Sequence, residues 1–143
     1  MSEADEALYF DSIHFSAAVV GINTTAMVES FIQRRPVLTI RAREFRDRQE
    51  GTVHFRQLLA GRGALRVAAD IDEHLAQLRE AIEHPERQRD AIEGFLRTFV
   101  RPHGLDRRAT PILADAIEEL ATLRRAASVS VSTPAPALER APT

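Results

Sequence analysis

Apolar positions in this chain fall first into two short runs with an amphipathic stretch between them. Ala17–Ile22 is a continuous apolar run, the pattern of a parallel strand buried on both faces. Val28, Phe31 and Ile32 then recur at helical spacing, and Pro36 stops that helix ahead of the β-branched run Val37–Ile40. Gly21 and Asn23 are turn formers, and the hydroxyl of Thr24 or Thr25 can cap the helix. Val19–Ile40 therefore predicts a strand, a crossover helix and a second strand, with right-handed connection. The loop Gly21–Thr25 falls at the carboxyl end of a strand and the amino end of a helix. Open α/β sheets bind ligands there, and free N–H groups attract phosphate.

The pattern continues on both sides of this unit. Leu8–Ser16 predicts a short helix with Tyr9 and Ile13 on one face. Arg41–Gly51 is a charged loop in which Arg41, Arg43, Arg46 and Arg48 alternate with Glu44, Asp47 and Glu50. Thr52 can cap a helix carrying Phe55, Leu58 and Leu59; Gly61 and Gly63 end it, and Ala64–Ala68 reads as a third strand. Asp70–Glu73 resembles a capping box ahead of Ile71, Leu75, Leu78 and Ile82. His84-Pro85 breaks that helix, and another runs from about Glu86 with Ile92, Phe95, Leu96, Phe99 and Val100 apolar. After the break at Pro102-His-Gly104, a last helix begins at Asp106 or at Thr110-Pro111, with Leu113, Ile117, Leu120 and Leu123 as its buried stripe. Ser128–Thr143 has little to bury and reads as a disordered tail.

These elements predict an α/β fold: a Rossmann-like three-layer half-domain with a parallel sheet, strands about 17–22, 37–40 and 64–68, and a helical C-terminal end. The domain spans 1–127 and the tail 128–143. Three strands are fewer than a doubly wound sheet normally has. The chain reads either as a small α/β domain or as the C-terminal portion of something larger.

Composition changes this picture little. With 143 residues, 28% charged and 44% hydrophobic, the chain suits one soluble domain with a real core. No apolar run is long enough to span a bilayer, and the acidic Met1–Ala7 is not a signal peptide. The absence of cysteine excludes disulfides and thiolate metal sites and fits a cytoplasmic location. All 19 basic residues are arginine, and a net charge of -2 gives no nucleic-acid footprint. The histidines lack close metal-ligand spacing, so no metal is expected.

At Gly21–Pro36 the chain resembles the nucleotide-sugar half of GT-B-fold enzymes, which include glycosyltransferases and the non-hydrolysing UDP-N-acetylglucosamine 2-epimerases. The shared pattern is a small polar loop, a helix with a Glu, then Gly-x-Pro-Val with the Pro about seven residues after the Glu. Glu29, Pro36 and Val37 keep that spacing. Arg41–Gly51 resembles the loop that approaches the donor sugar, with Asp47 and Gln49 at its acidic-amide end, and Arg101–Asp106 resembles the turn before the final helix. The likeness covers about Tyr9–Ala126. It departs at Arg34, which stands where the family usually has Gly, and the acceptor-binding half, which usually carries the catalytic base, is missing.

The resemblance implies the donor-binding part of a glycosyltransferase, without turnover on its own, or alternatively part of a non-hydrolysing UDP-N-acetylglucosamine 2-epimerase-like enzyme. Asn23, Thr24 and Thr25 would face the diphosphate and Glu29 the ribose hydroxyls of UDP or a UDP-sugar. Arg41 or Arg43 would contact phosphate, with Asp47, Gln49 and His54 as further candidates. No residue is assigned a catalytic role and no cofactor is implied. The implied partners are a nucleotide-sugar donor and the missing N-terminal acceptor domain, with no nucleic acid and no membrane span. Each residue has a plainer reading: the threonines cap the helix, Glu29 points to solvent, the arginines form a solvated surface and His54 is structural. His14 and His103 read as packing or turn residues, and His74 and His84 as exposed helical positions. A non-enzymatic α/β interaction module is the alternative of another class.

Overall fold

Three parallel strands, β1 (Val19–Val20), β2 (Val37–Ile40) and β3 (Leu65–Ala68), pair in the order β1-β2-β3. The structure, a computed structural model, describes residues 2–131 apart from 42 and 62. The chain divides into two units, Met1–Leu105 and Asp106–Thr143. In the first, Val19 and Val20 lie opposite Val37 and Leu38, and Val37–Ile40 lies opposite Leu65–Ala68. The predicted α/β class and parallel sheet are present.

The first strand is shorter than the expected 17–22 and is not buried on both faces. It pairs only with β2, and Val20 is 51% exposed. An edge strand has one neighbour, so its apolar run does not require the double burial of a central strand. β2 takes the central place instead, and Val37, Leu38 and Thr39 are wholly buried.

Helix α1 (Glu3–His14) begins earlier than the predicted Leu8–Ser16. Ser2 and Asp5 form a reciprocal capping box: Asp5 N–H donates to Ser2 Oγ at 3.2 Å and Ser2 N–H to Asp5 Oδ2 at 3.0 Å. Helix α2 (Ala26–Ile32) crosses from β1 to β2. The charged stretch 41–51 is not a plain loop. It contains a 3₁₀ turn over Arg43–Phe45 and the short helix α3 (Arg46–Gln49). Thr52 caps α4 (Val53–Leu59) by accepting from Phe55 N–H at 3.2 Å.

Strand pleating puts Val37, Leu65 and Val67 on one face of the sheet and Leu38, Arg66 and Ala68 on the other. The first face packs with Met27 and Phe31 of α2, Phe55 and Leu58 of α4, and Ile92, Phe95 and Leu96. Burying each of these large side chains contributes ~1.5–3 kcal/mol. The second face meets α5 (Ile71–Glu83), where Arg66 pairs with Glu80 at 2.5 Å. Hydrogen bonds from Arg66 and then Arg87 hold the Glu80 carboxyl below the usual range.

Helix α5 reverses one expectation. Ile71, Leu75 and Ile82 are exposed, whereas His74 and Ala81 are buried. Its inward face runs through His74, Gln77, Leu78 and Ala81, and Gln77 Nε2 donates to the Val67 carbonyl of β3 at 3.4 Å. Asp70 caps the helix by accepting from Glu73 N–H, but the reciprocal half of the expected capping box is displaced: Glu73 accepts from the N–H of Ala69, one residue before the cap. After His84, a 3₁₀ turn (Pro85–Gln88) leads into α6 (Arg89–Phe95), which continues as a π turn over Leu96–Val100.

The second unit holds α7 (Ala109–Val131). Its predicted stripe, Leu113, Ile117, Leu120 and Leu123, is exposed rather than buried. The helix runs through Val131, so the first four residues of the predicted tail are helical. The remainder of that tail, 132–143, lies outside the described residues.

Two glycines test this packing. A Cβ on Gly61 would lie 2.5 Å from Phe95 Cδ2, inside the core, whereas one on Gly94 in α6 meets nothing within 4 Å. Gly61→Ala should lower unfolding free energy by about 1–3 kcal/mol. Gly94→Ala should raise it by roughly 0.5–1 kcal/mol through helix propensity alone. Urea unfolding of both variants reads the difference, and equal effects would contradict the core placement of Phe95.

Candidate functional site

Because β1 and β2 are parallel, the segments that follow them, 21–25 and 41–52, leave the sheet at the same edge. Asn23 joins them. Its Nδ2 donates to the Arg48 carbonyl at 2.6 Å and to Thr52 Oγ1 at 3.0 Å. Its Oδ1 lies 2.7 Å from His54 Nδ1. The carbonyl of Arg48 only accepts, which fixes the amide orientation, so His54 is the donor through Nδ1. His54 Nε2 is buried with no hydrogen-bond partner among the described residues. Asn23 and His54 are thus brought together, but facing each other.

Gln49, expected near a donor sugar, is 1% exposed. Its Nε2 donates to Ile22 O at 3.1 Å and Ile40 O at 3.0 Å, with Thr39 Oγ1 at 3.3 Å. A neutral amide suits this buried position because its N–H groups meet backbone carbonyls; Thr39 Oγ1 donates to the Ile22 carbonyl as well, at 3.3 Å. Its role is to hold the edge together.

The threonines divide the expected capping task unevenly. Thr25 occupies the cap position of α2, yet its hydroxyl makes no capping bond and the residue is exposed. Thr24 Oγ1 accepts a long bond from Ala26 N–H at 3.4 Å. Glu29 neither points freely to solvent nor stands vacant: the Tyr9 hydroxyl of α1 donates to its Oε2. That bond pushes the Tyr9 phenol up to about 12, because ionising it would place a phenolate against a carboxylate.

Arg41, Arg43, Arg46, Gln49 and Glu50 line an open cleft of about 320 Å³ at this edge. Glu50 pairs with Arg41 at 3.2 Å and Arg46 at 3.6 Å. Arg43 has no hydrogen bond or ion pair to the described residues. Three guanidiniums face one carboxylate, so the cleft is cationic. Asp47 is exposed on α3 and does not line it. Sequence reasoning passed over Arg46 as a site residue, and over Tyr9, whose pairing with Glu29 has no signal in sequence spacing.

Among the described residues no group of three or more His, Cys, Asp or Glu could hold a metal ion, and no helix is long and apolar enough to cross a membrane. The fold and this edge define an α/β protein with a short parallel sheet and a cationic cleft beside a strand-to-helix loop. Comparison with protein-family models, with curated proteins and with solved structures finds no match to the chain.

Two measurements check this description. Gln49→Leu removes donors from buried carbonyls and should cost about 2–4 kcal/mol in urea unfolding. The chain has one tyrosine and no tryptophan, so ultraviolet absorbance follows Tyr9 alone. In the native protein its phenolate should form near 12, against about 10 in the unfolded chain. The raised folded value means that this stabilisation is complete below the unfolded pKa and is lost as pH rises through the folded one. Glu29→Gln should bring the native titration down; an ordinary native value in the parent chain would remove the Tyr9–Glu29 bond from the structure.

Proposed function

We propose that the carboxyl edge of the sheet binds a nucleoside diphosphate, as the donor-binding part of a nucleotide-sugar glycosyltransferase. The observation that carries this reading is the juxtaposition of the Arg41–Arg43–Arg46 cleft with the Gly21–Thr25 loop, through the bonds of Asn23 to Arg48 and Thr52. Arginine suits a diphosphate because its planar fork presents several donors. Arg43 meets the charge first, and the exposed Thr25 hydroxyl supplies a neutral donor. Tyr9 holds one oxygen of Glu29 in place, and the carboxylate retains acceptor capacity for a ribose diol. None of these residues is given a catalytic role.

One observation favours a second reading, a non-enzymatic interaction module. Asn23, Gln49 and Glu29, three residues assigned to the ligand by resemblance, all make hydrogen bonds within the protein. Calorimetry separates the two. UDP should bind the chain, and Arg43→Gln should weaken both UDP and inorganic pyrophosphate about tenfold or more, from the roughly 1.5–3 kcal/mol of a charge-assisted bond. Glu29→Gln should weaken UDP and leave pyrophosphate unchanged. Absence of binding by any nucleoside diphosphate would favour the interaction module.

A further inference from the structure

The opposite end of β2 carries a second cationic cleft. Arg34 and Arg35 precede the strand as Arg41 and Arg43 follow it, so four residues at ~3.3 Å each set the two clefts about 13 Å or more apart. The second cleft measures about 500 Å³ and is lined by Arg34, Arg35, Pro85, Glu86, Arg89, Ile92 and Glu93. It brings the end of α2 against the start of α6.

The charges there are not all answered. Arg34 stands in the left-handed region, φ 59°, and its Nε donates to Glu93 at 2.5 Å. Glu86 lies 3.4 Å from His84 Nδ1. Arg35 is partly buried, and its Nε is shielded from solvent with no hydrogen-bond partner among the described residues. Arg89 has no ion pair to the described residues either. A guanidinium N–H shielded from water without an acceptor is costly, and such groups in native proteins mark an ion or water held at the site.

We infer that this cleft binds a small organic phosphate, its phosphoryl oxygens between Arg35 and Arg89 and its carbon body against Pro85 and Ile92. Two unpaired guanidiniums from different elements suit a group carrying close to two negative charges, which a phosphate monoester does near neutral pH and a carboxylate does not. The volume exceeds what a bare phosphate fills, and the apolar residues on its wall accept the remainder of the ligand. This site is separate from the nucleotide edge and does not depend on it.

The probes are inorganic phosphate, phenyl phosphate and benzoate, titrated into the full chain at constant ionic strength and followed by calorimetry. Phenyl phosphate should bind more tightly than inorganic phosphate, and benzoate more weakly than either. Arg35→Gln and Arg89→Gln should each weaken phenyl phosphate tenfold or more, while Arg97→Gln, at an exposed position that lines neither cleft, leaves it unchanged. Arg89 is exposed, so its variant keeps the test decisive if Arg35→Gln unfolds. Loss of binding in Arg43→Gln with retention in Arg89→Gln would move the phosphate to the nucleotide edge and overturn the assignment. No binding of phenyl phosphate, or benzoate binding equally well, would overturn it too.

Discussion

One buried amide holds the carboxyl edge of the sheet. Gln49 of α3 donates to the carbonyls of Ile22, just beyond β1, and Ile40, the last residue of β2. Without it, the Ile40 carbonyl at the end of the central strand would lose its side-chain donor, and the Ile22 carbonyl would keep only the Thr39 hydroxyl. The amide also fixes where 41–52 returns to the sheet. Thr52 then donates to the Gln49 carbonyl at 2.9 Å, accepts from Asn23 and caps α4. A strand of two paired residues can persist because its continuation is tied down by side chains rather than by a longer ladder.

The most buried strand is bracketed by arginines. Val37–Thr39 is sealed from solvent, while Arg34 and Arg35 stand at one end and Arg41 and Arg43 at the other. Charged groups leave the core at strand ends, and what distinguishes these is the supply of counter-charges. Glu50 and Glu93 each answer part of the charge, and Arg43 at one end and Arg35 and Arg89 at the other keep unassigned donors. The Arg34 position shows the same compromise in the backbone. A left-handed residue after a helix is ordinarily Gly, and an Arg there carries strain of roughly 1–2 kcal/mol. Its bond to Glu93, across to α6, partly offsets that cost.

Much of the fold was legible because its signals are local. Pro36, the β-branched Val37–Ile40, the Thr52 cap and the Asp70 cap each act within a turn of chain, and each element they imply is present. The Ser2–Asp5 capping box was equally local, but its acidic setting hid it among residues read only as charge. The strand–helix–strand order over Val19–Ile40 follows from signals of this kind, and the family resemblance at Gly21–Pro36 rests on residue spacing alone. It did not anticipate that Asn23, Glu29 and Gln49 would turn to partners inside the protein. Those partners, His54, Tyr9 and the Ile22 carbonyl, lie between 20 and 31 positions away in the chain.

The sequence by itself determined the three strands, the helices capped by local signals and the placing of two loops at one sheet edge, though not the short helix α3 inside one of those loops, because periodicity and caps are properties of neighbouring residues. Only the tertiary structure decided which face of α5 is buried, since Ile71, Leu75 and Ile82 form as good a stripe as the one containing His74 and Ala81. The choice goes with what that side of the helix meets on β3: Gln77 donates to the Val67 carbonyl and Glu80 pairs with Arg66. Tertiary structure also decided which polar groups are already engaged and which are free. A carboxylate or guanidinium has the same chemistry wherever it stands in the sequence, and it is the partner brought to it across the fold that leaves it bound, as Glu29 is, or open among the described residues, as Arg35 and Arg43 are.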